Sequence, residues 1–138
     1  RICGEVEAAG LAAERRSKTD LECMWKAQRA MAQVIEEGDE AIDLDFDLHV
    51  AIGDATGNPY FSSFLDFIGR IIIPRRTVLI DGQPATERAA YLQRINRDHR
   101  AIVTAIERQD AAAARTAMRE HLSAGRDRYL RLMDTDDA

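Results

Sequence analysis

The sequence predicts an all-α fold, an antiparallel bundle of six to seven helices. Apolar residues recur every three to four positions through most of the 138-residue chain. Turn residues are sparse, with eight Gly and three Pro. The stretches between them are rich in Ala, Leu, Arg and Glu, which lose little side-chain freedom in a helix. At this length, and with 46% hydrophobic residues, one domain can bury a core without disulfide staples.

Taken in order, Ile2, Val6, Ala9 and Ala13 give the first segment an apolar stripe. Thr19-Asp20-Leu21-Glu22 fits a capping box. It opens a second helix with Leu21, Met24, Trp25, Met31 and Ile35 on its buried face, closing near Gly38. A third helix spans about residues 39–56, with Gly57 past its end and Pro59 preventing continuation. The fourth carries Phe61, Phe64, Leu65, Ile68 and Ile72 and is expected to break at Pro74. The β-branched runs at 71–73 and 78–80 could read as strands, but an isolated pair has nothing to join. Asp81-Gly82-Gln83-Pro84 is a loop. Leu92, Ile95, Ile102 and Ile106 mark a long helix stopping near Gln109. Asp110 then caps a last helix with Ala114, Met118, Leu122, Tyr129 and Leu132.

Composition narrows the function. The formal charge of −5 argues against this chain gripping nucleic acid by itself, although 17 of its 19 basic residues are arginine. The longest uncharged run, residues 55–65, is too short to span a membrane. Cys3 and Cys23 lack CxxC spacing, which favours a reducing, cytoplasmic setting, and they read as buried structural thiols rather than nucleophiles. No secretory signal pattern is visible. A chain opening Arg-Ile-Cys without Met reads as a portion of something longer.

All three histidines fall on or beside apolar stripes. A lone histidine there is most often a core residue with a satisfied hydrogen bond, but three ask for a common account. His99 and His121 lie 11 residues either side of Asp110. In an antiparallel hairpin each stands about 16 Å from the turn, at one level. Asp45 and His49 are four apart and project from one helical face. Together Asp45, His49, His99 and His121 make an Asp/His3 set from three helices, suited to zinc, nickel, manganese, iron or cobalt.

Rival chemistries are poorly supported. His-Glu-x-x-His is absent, and the residues three before the histidines are Phe46, Asn96 and Met118, so no di-iron Glu-x-x-His repeat exists. Asp47 and Glu120 point off the chelating face. With no visible nucleophile or general base, the site reads as one for binding rather than turnover. A mononuclear metal hydrolase or oxygenase on a helical bundle is the alternative, since metal-bound water is itself a nucleophile.

Asp45-Phe46-Asp47-Leu48-His49, followed by Ala55-Thr56-Gly57-Asn58-Pro59, resembles the D-x-x-x-H…A-[ST]-G-N-P signature of the FCD domain. That is the effector-binding domain of FadR-type regulators in the GntR transcription factor family. His99-Arg100-Ala101-Ile102-Val103-Thr104-Ala105-Ile106 resembles its H-x-x-I-x-x-A-I segment, and Met118-Arg119-Glu120-His121-Leu122 its closing helix. The opening Arg1, Glu5 and Leu11-Ala12-Ala13-Glu14-Arg15 are similar to the family's start, so the likeness covers nearly the whole chain. Leu48 departs from the Phe frequent before the family's histidine.

The resemblance implies a helical bundle, usually dimeric, with a divalent metal on Asp45, His49, His99 and His121. It implies a small carboxylic acid as effector, met by the metal or by an arginine. Arg1 matches the family's opening arginine, and Arg75 or Arg76 lies near its arginine-rich stretch. It further implies that residues 1–138 are one effector-binding domain, and that DNA is contacted only through an N-terminal winged helix-turn-helix absent from this chain. The expected function is ligand sensing in transcription regulation, without enzyme activity or membrane association.

Overall fold

The computed structural model describes residues 1–136, with side chains described outside 72–81 and 135–136. Among these residues it is all-α, with six helices: α1 (Ile2–Arg15), α2 (Lys18–Glu36), α3 (Ile42–Asp54), α4 (Pro59–Asp81), α5 (Ala85–Glu107) and α6 (Ala111–Asp136). No strand occurs among them. In the bundle α1 packs on α6, α3 on both α2 and α4, and α5 on both α2 and α6.

Local chemistry explains the boundaries, and three expectations need correction. The capping box that opens α2 is Ser17 with Asp20, not Thr19 with Glu22. Asp20 N donates to Ser17 Oγ at 3.0 Å, and Ser17 N donates to Asp20 Oδ2 at 2.8 Å. Asp20 reaches the N-cap amide as well as glutamate does, which the sequence pattern undervalued. The third helix begins at Ile42, because Gly38 in the left-handed region (φ 79°) turns the chain and residues 39–41 form the connection. Finally, α4 runs unbroken through Pro74. An internal proline removes one backbone bond, and a helix of 23 residues absorbs that loss.

The Ala55-Thr56-Gly57-Asn58-Pro59 segment is a compact corner. The buried Thr56 hydroxyl donates to Gly53 O (2.7 Å) and accepts from Asn58 N (3.1 Å). Gly57 takes φ 70°, a conformation that suits glycine. Asn58 Oδ1 accepts from Tyr60 N at 3.0 Å, capping α4, and Pro59 occupies its first turn where no donor is needed. Arg15 Nη1 donates to Thr56 O (3.1 Å), tying α1 to this corner. At the other hairpin Asp110 caps α6 by accepting from Ala113 N at 3.0 Å, and Arg16 Nη2 donates to Glu107 O (2.6 Å) at the end of α5.

The buried apolar residues fall into two clusters. One gathers Val6, Ala9, Met24, Leu48, Ile52, Ile102, Ile106, Met118 and Leu122. The other gathers Met31, Ile35, Ile42, Tyr91, Leu92 and Ile95. His49 and His121 are sequence neighbours of the first cluster, while His99 reaches Met31 of the second. The histidines therefore occupy an apolar, water-poor interior, where unpaired polar groups are costly. Cys3 and Cys23 correct another expectation: both are exposed, on the outer faces of α1 and α2. No helix among the described residues is long and apolar enough to cross a membrane.

Candidate metal centre

The i, i+4 spacing puts Asp45 and His49 on the inward face of α3, and the α5–α6 hairpin brings His99 and His121 to the same level. All four side chains are buried. One ligand atom from each lies within 4.8 Å of every other. Asp45 Oδ1 is 3.0 Å from His99 Nε2 and 3.3 Å from His49 Nε2, and the Nε2 atoms of His99 and His121 are 3.1 Å apart. Ligands at bond lengths of about 2.1 Å stand roughly 3.0 Å apart at right angles and roughly 3.4 Å at tetrahedral angles. These three separations fall in that range.

Each histidine is held from behind. His49 Nδ1 meets the buried carboxylate of Glu5 on α1, whose other oxygen takes Arg1 Nε. His121 Nδ1 is 3.1 Å from Asp98 Oδ2, and His99 Nδ1 is 3.2 Å from Met31 Sδ. With Nδ1 as the donor in each ring, the Nε2 lone pairs face the centre, the tautomer a metal requires. His49 Nε2 is buried with no hydrogen-bond partner. Three inward nitrogens, one of them without a hydrogen-bond partner, and one carboxylate oxygen fit a borderline divalent cation.

The electrostatics distinguish the rings. Burial opposes charge on His49, yet the Glu5 charge, the nearby Asp45 carboxylate and the Glu5 hydrogen bond hold its pKa up to about 9. Burial likewise opposes the Glu5 carboxylate, but the charge and hydrogen bond of His49, then Arg1, take its pKa down to about 2. Burial dominates at His121 and pushes it down to about 4 despite Asp98, with the charges of His99 and His49 adding to the shift. Asp98 is lowered: burial would raise it, but the His121 hydrogen bond and charge prevail.

The structure thus brings Asp45, His49, His99 and His121 together. Arg1 is not among them; it sits behind Glu5, at the outer end of an Arg1–Glu5–His49 relay. The Arg75 and Arg76 side chains lie outside the described residues. Asp47 and Glu120 are exposed, as their helical angles require. Sequence reasoning gave no role to Asp98, placed Met31 only on the buried face of α2, and had Glu5 only as part of a family likeness. Glu5 carried a detectable signal, being an acid inside the α1 apolar stripe. Asp98 adjoins His99 but serves His121, a link invisible without the hairpin register.

These features define a class: all-helical bundle domains built around an internal Asp/His3 cluster. Residues 5–124 match the FCD domain, and the chain belongs to that family. It is similar to the HTH-type transcriptional regulator LutR of Bacillus subtilis (strain 168), 28% identical over 121 residues that make up 86% of this chain and 54% of that protein. Among solved structures, Streptococcus agalactiae GntR matches with a TM-score of 0.73 at 23% identity, over 92% of this chain and 54% of that one. E. coli McbR/YncC matches with a TM-score of 0.79 at 17% identity, over 94% and 60% respectively. The chain spans about half the length of the curated relative.

Proposed function

We propose that this domain senses a small carboxylic acid for a GntR-family transcription regulator, with Asp45, His49, His99 and His121 holding a divalent metal such as zinc, nickel, manganese or iron. The observation that carries the reading is the convergence of four buried ligand atoms whose rings are oriented from behind by Glu5, Asp98 and Met31. The likeness to LutR supports the regulatory setting. A bound metal supplies a positive centre to which a carboxylate can attach. The chain's own residues do the rest: Glu5 and Asp98 fix ring orientation, and the surrounding apolar residues exclude water.

Four ligands leave positions on a six-coordinate ion for an effector. Because they come from three helices, a ligand that alters the coordination alters helix spacing. Regulation requires that the effector favour one helix arrangement over another. In this reading the regulator is a cytoplasmic homodimer and meets DNA through a separate N-terminal winged helix-turn-helix. The absence of a nucleophile or base within the cluster favours sensing over hydrolysis.

Metal analysis of protein purified without a histidine tag tests the centre. We expect about one divalent ion per chain, lost in the Asp45→Ala/His99→Ala double variant. Metal content unchanged in that variant sinks the assignment. Turnover of small esters abolished by His121→Ala and by chelation would favour a hydrolase instead.

A further inference from the structure

Helices α2 and α5 pack antiparallel: Met24 clusters with Ile102 and Ile106, while Met31 and Ile35 cluster with Leu92 and Ile95. Outside this seam the pair leaves an open cleft of about 600 Å³, within the size range of small-molecule sites. None of Asp45, His49, His99 and His121 lines it.

The floor of the cleft is a half-used amide pair. Gln28, only 3% exposed, donates from Nε2 to Asn96 Oδ1 at 2.7 Å. The reciprocal bond is not made, so Gln28 Oε1 and Asn96 Nδ2 have no hydrogen-bond partner among the described residues. An acceptor and a donor therefore stand side by side, and a ligand that completes the pair recovers two hydrogen bonds at a poorly hydrated position. Half-buried Trp25 supplies an aromatic wall. Arg29 of α2 and Arg100 of α5 bring two exposed guanidiniums to the same cleft, neither paired with an acid among the described residues. Glu36 and Glu107 are the last residues of the two antiparallel helices, so they stand at opposite ends of the cleft and confine an anion to its middle.

We propose that this cleft binds a nucleoside monophosphate, with its base against Trp25 and one base edge on the Gln28–Asn96 pair, and its phosphate on Arg29 and Arg100. Every base carries a hydrogen-bond donor next to an acceptor, which is the complement of the open amide pair. An indole face accepts any base by stacking. Guanidinium forks match phosphate oxygens, and one from each helix can close on the same group. The acids at the two ends disfavour the longer, more highly charged di- and triphosphates. The site is separate from the metal centre and does not rest on the sensing role proposed for it.

Trp25 is the single tryptophan of the chain, so its fluorescence reports on the cleft alone. The test titrates the full chain, zinc-loaded and stripped by chelation, with AMP, GMP, CMP and UMP. We expect saturable quenching of Trp25 by at least one nucleotide in both forms. Its affinity falls by about ten-fold or more in the Arg29→Gln/Arg100→Gln double variant and in Ala32→Leu, which narrows the cleft, with helical circular dichroism unchanged. The matching nucleoside and ribose phosphate each bind more weakly than the nucleotide, and the triphosphate binds no better. Absence of quenching by every nucleotide overturns the site. Ribose phosphate binding as tightly as the nucleotide overturns the base contacts, and unchanged affinity in the double arginine variant overturns the phosphate contacts. Quenching that requires zinc assigns the nucleotide to the metal and overturns the cleft.

Discussion

Asp98 Oδ2 stands 3.1 Å from His121 Nδ1, so a residue of α5 fixes the ring that α6 contributes to the centre. Asp98 thereby sets which nitrogen of His121 faces inward. Such carboxylate–histidine pairs raise ligand basicity and restrict ring rotation. Asp98→Ala is expected to weaken zinc binding by about 10- to 100-fold with helical content preserved. Competition against a chromophoric chelator measures this, and an unchanged affinity removes Asp98 from the site.

The metal-free protein should be most stable near pH 6.5. His49 binds its proton more tightly folded than unfolded, so its contribution is complete below 6.5 and is lost as pH rises through about 9. His121 binds its proton less tightly folded, so stability falls as pH drops from 6.5 through about 4. Glu5 adds a further loss below 4.5, toward about 2. Each histidine is worth on the order of 3 kcal/mol across its window. Urea midpoints measured from pH 4 to 9 in the presence of a chelator test the profile; a monotonic curve contradicts it.

Glu5→Ala removes the counter-charge of His49 and leaves that ring buried without a partner for Nδ1. Breaking a buried pair in this way costs about 3–5 kcal/mol. The variant should also lose the alkaline decline, because His49 no longer gains its proton on folding. Retention of that decline would show that another group produces it.

If the centre takes a metal, stabilisation must follow mass action. Excess free zinc at 100 times its dissociation constant raises unfolding free energy by about 2.7 kcal/mol. A melting temperature independent of zinc concentration, in protein stripped by chelation, argues that the cluster is only a polar core.

Two glycines should behave oppositely. A Cβ at Gly69 of α4 falls 2.4 Å from the Phe46 ring, so Gly69→Ala must displace Phe46, the neighbour of Asp45. A loss of roughly 1–3 kcal/mol is expected, with weakened metal binding. Gly125→Ala meets no neighbour and should stabilise α6 by up to about 1 kcal/mol. Denaturant melts of the pair decide between close packing and a general effect of glycine.

Much of this architecture was legible because two periodicities coincide. The apolar stripes of α2, α5 and α6 place Met31, Ile95, Ile102 and Met118 inside, and the histidines ride on stripes of their own helices. The symmetry of His99 and His121 about Asp110 requires only that the hairpin be antiparallel. Less legible were groups whose partners lie far along the chain. Glu5 finds His49 across 44 residues, and Met31 finds His99 across 68. Nor does local propensity reveal that α4 continues past Pro74, since the rule against internal proline is only a free-energy cost that a long helix can bear.

His121 lies near the first third of α6, and the helix continues 15 residues further to Asp136. At 1.5 Å per residue that is an arm of about 22 Å beyond the ring. A tilt of about 5° at His121, too slight to break any hydrogen bond, carries the far end through about 2 Å. In the sensing role proposed above, occupancy of a centre a few ångströms wide would be read at a distance, as the swing of a rigid rod.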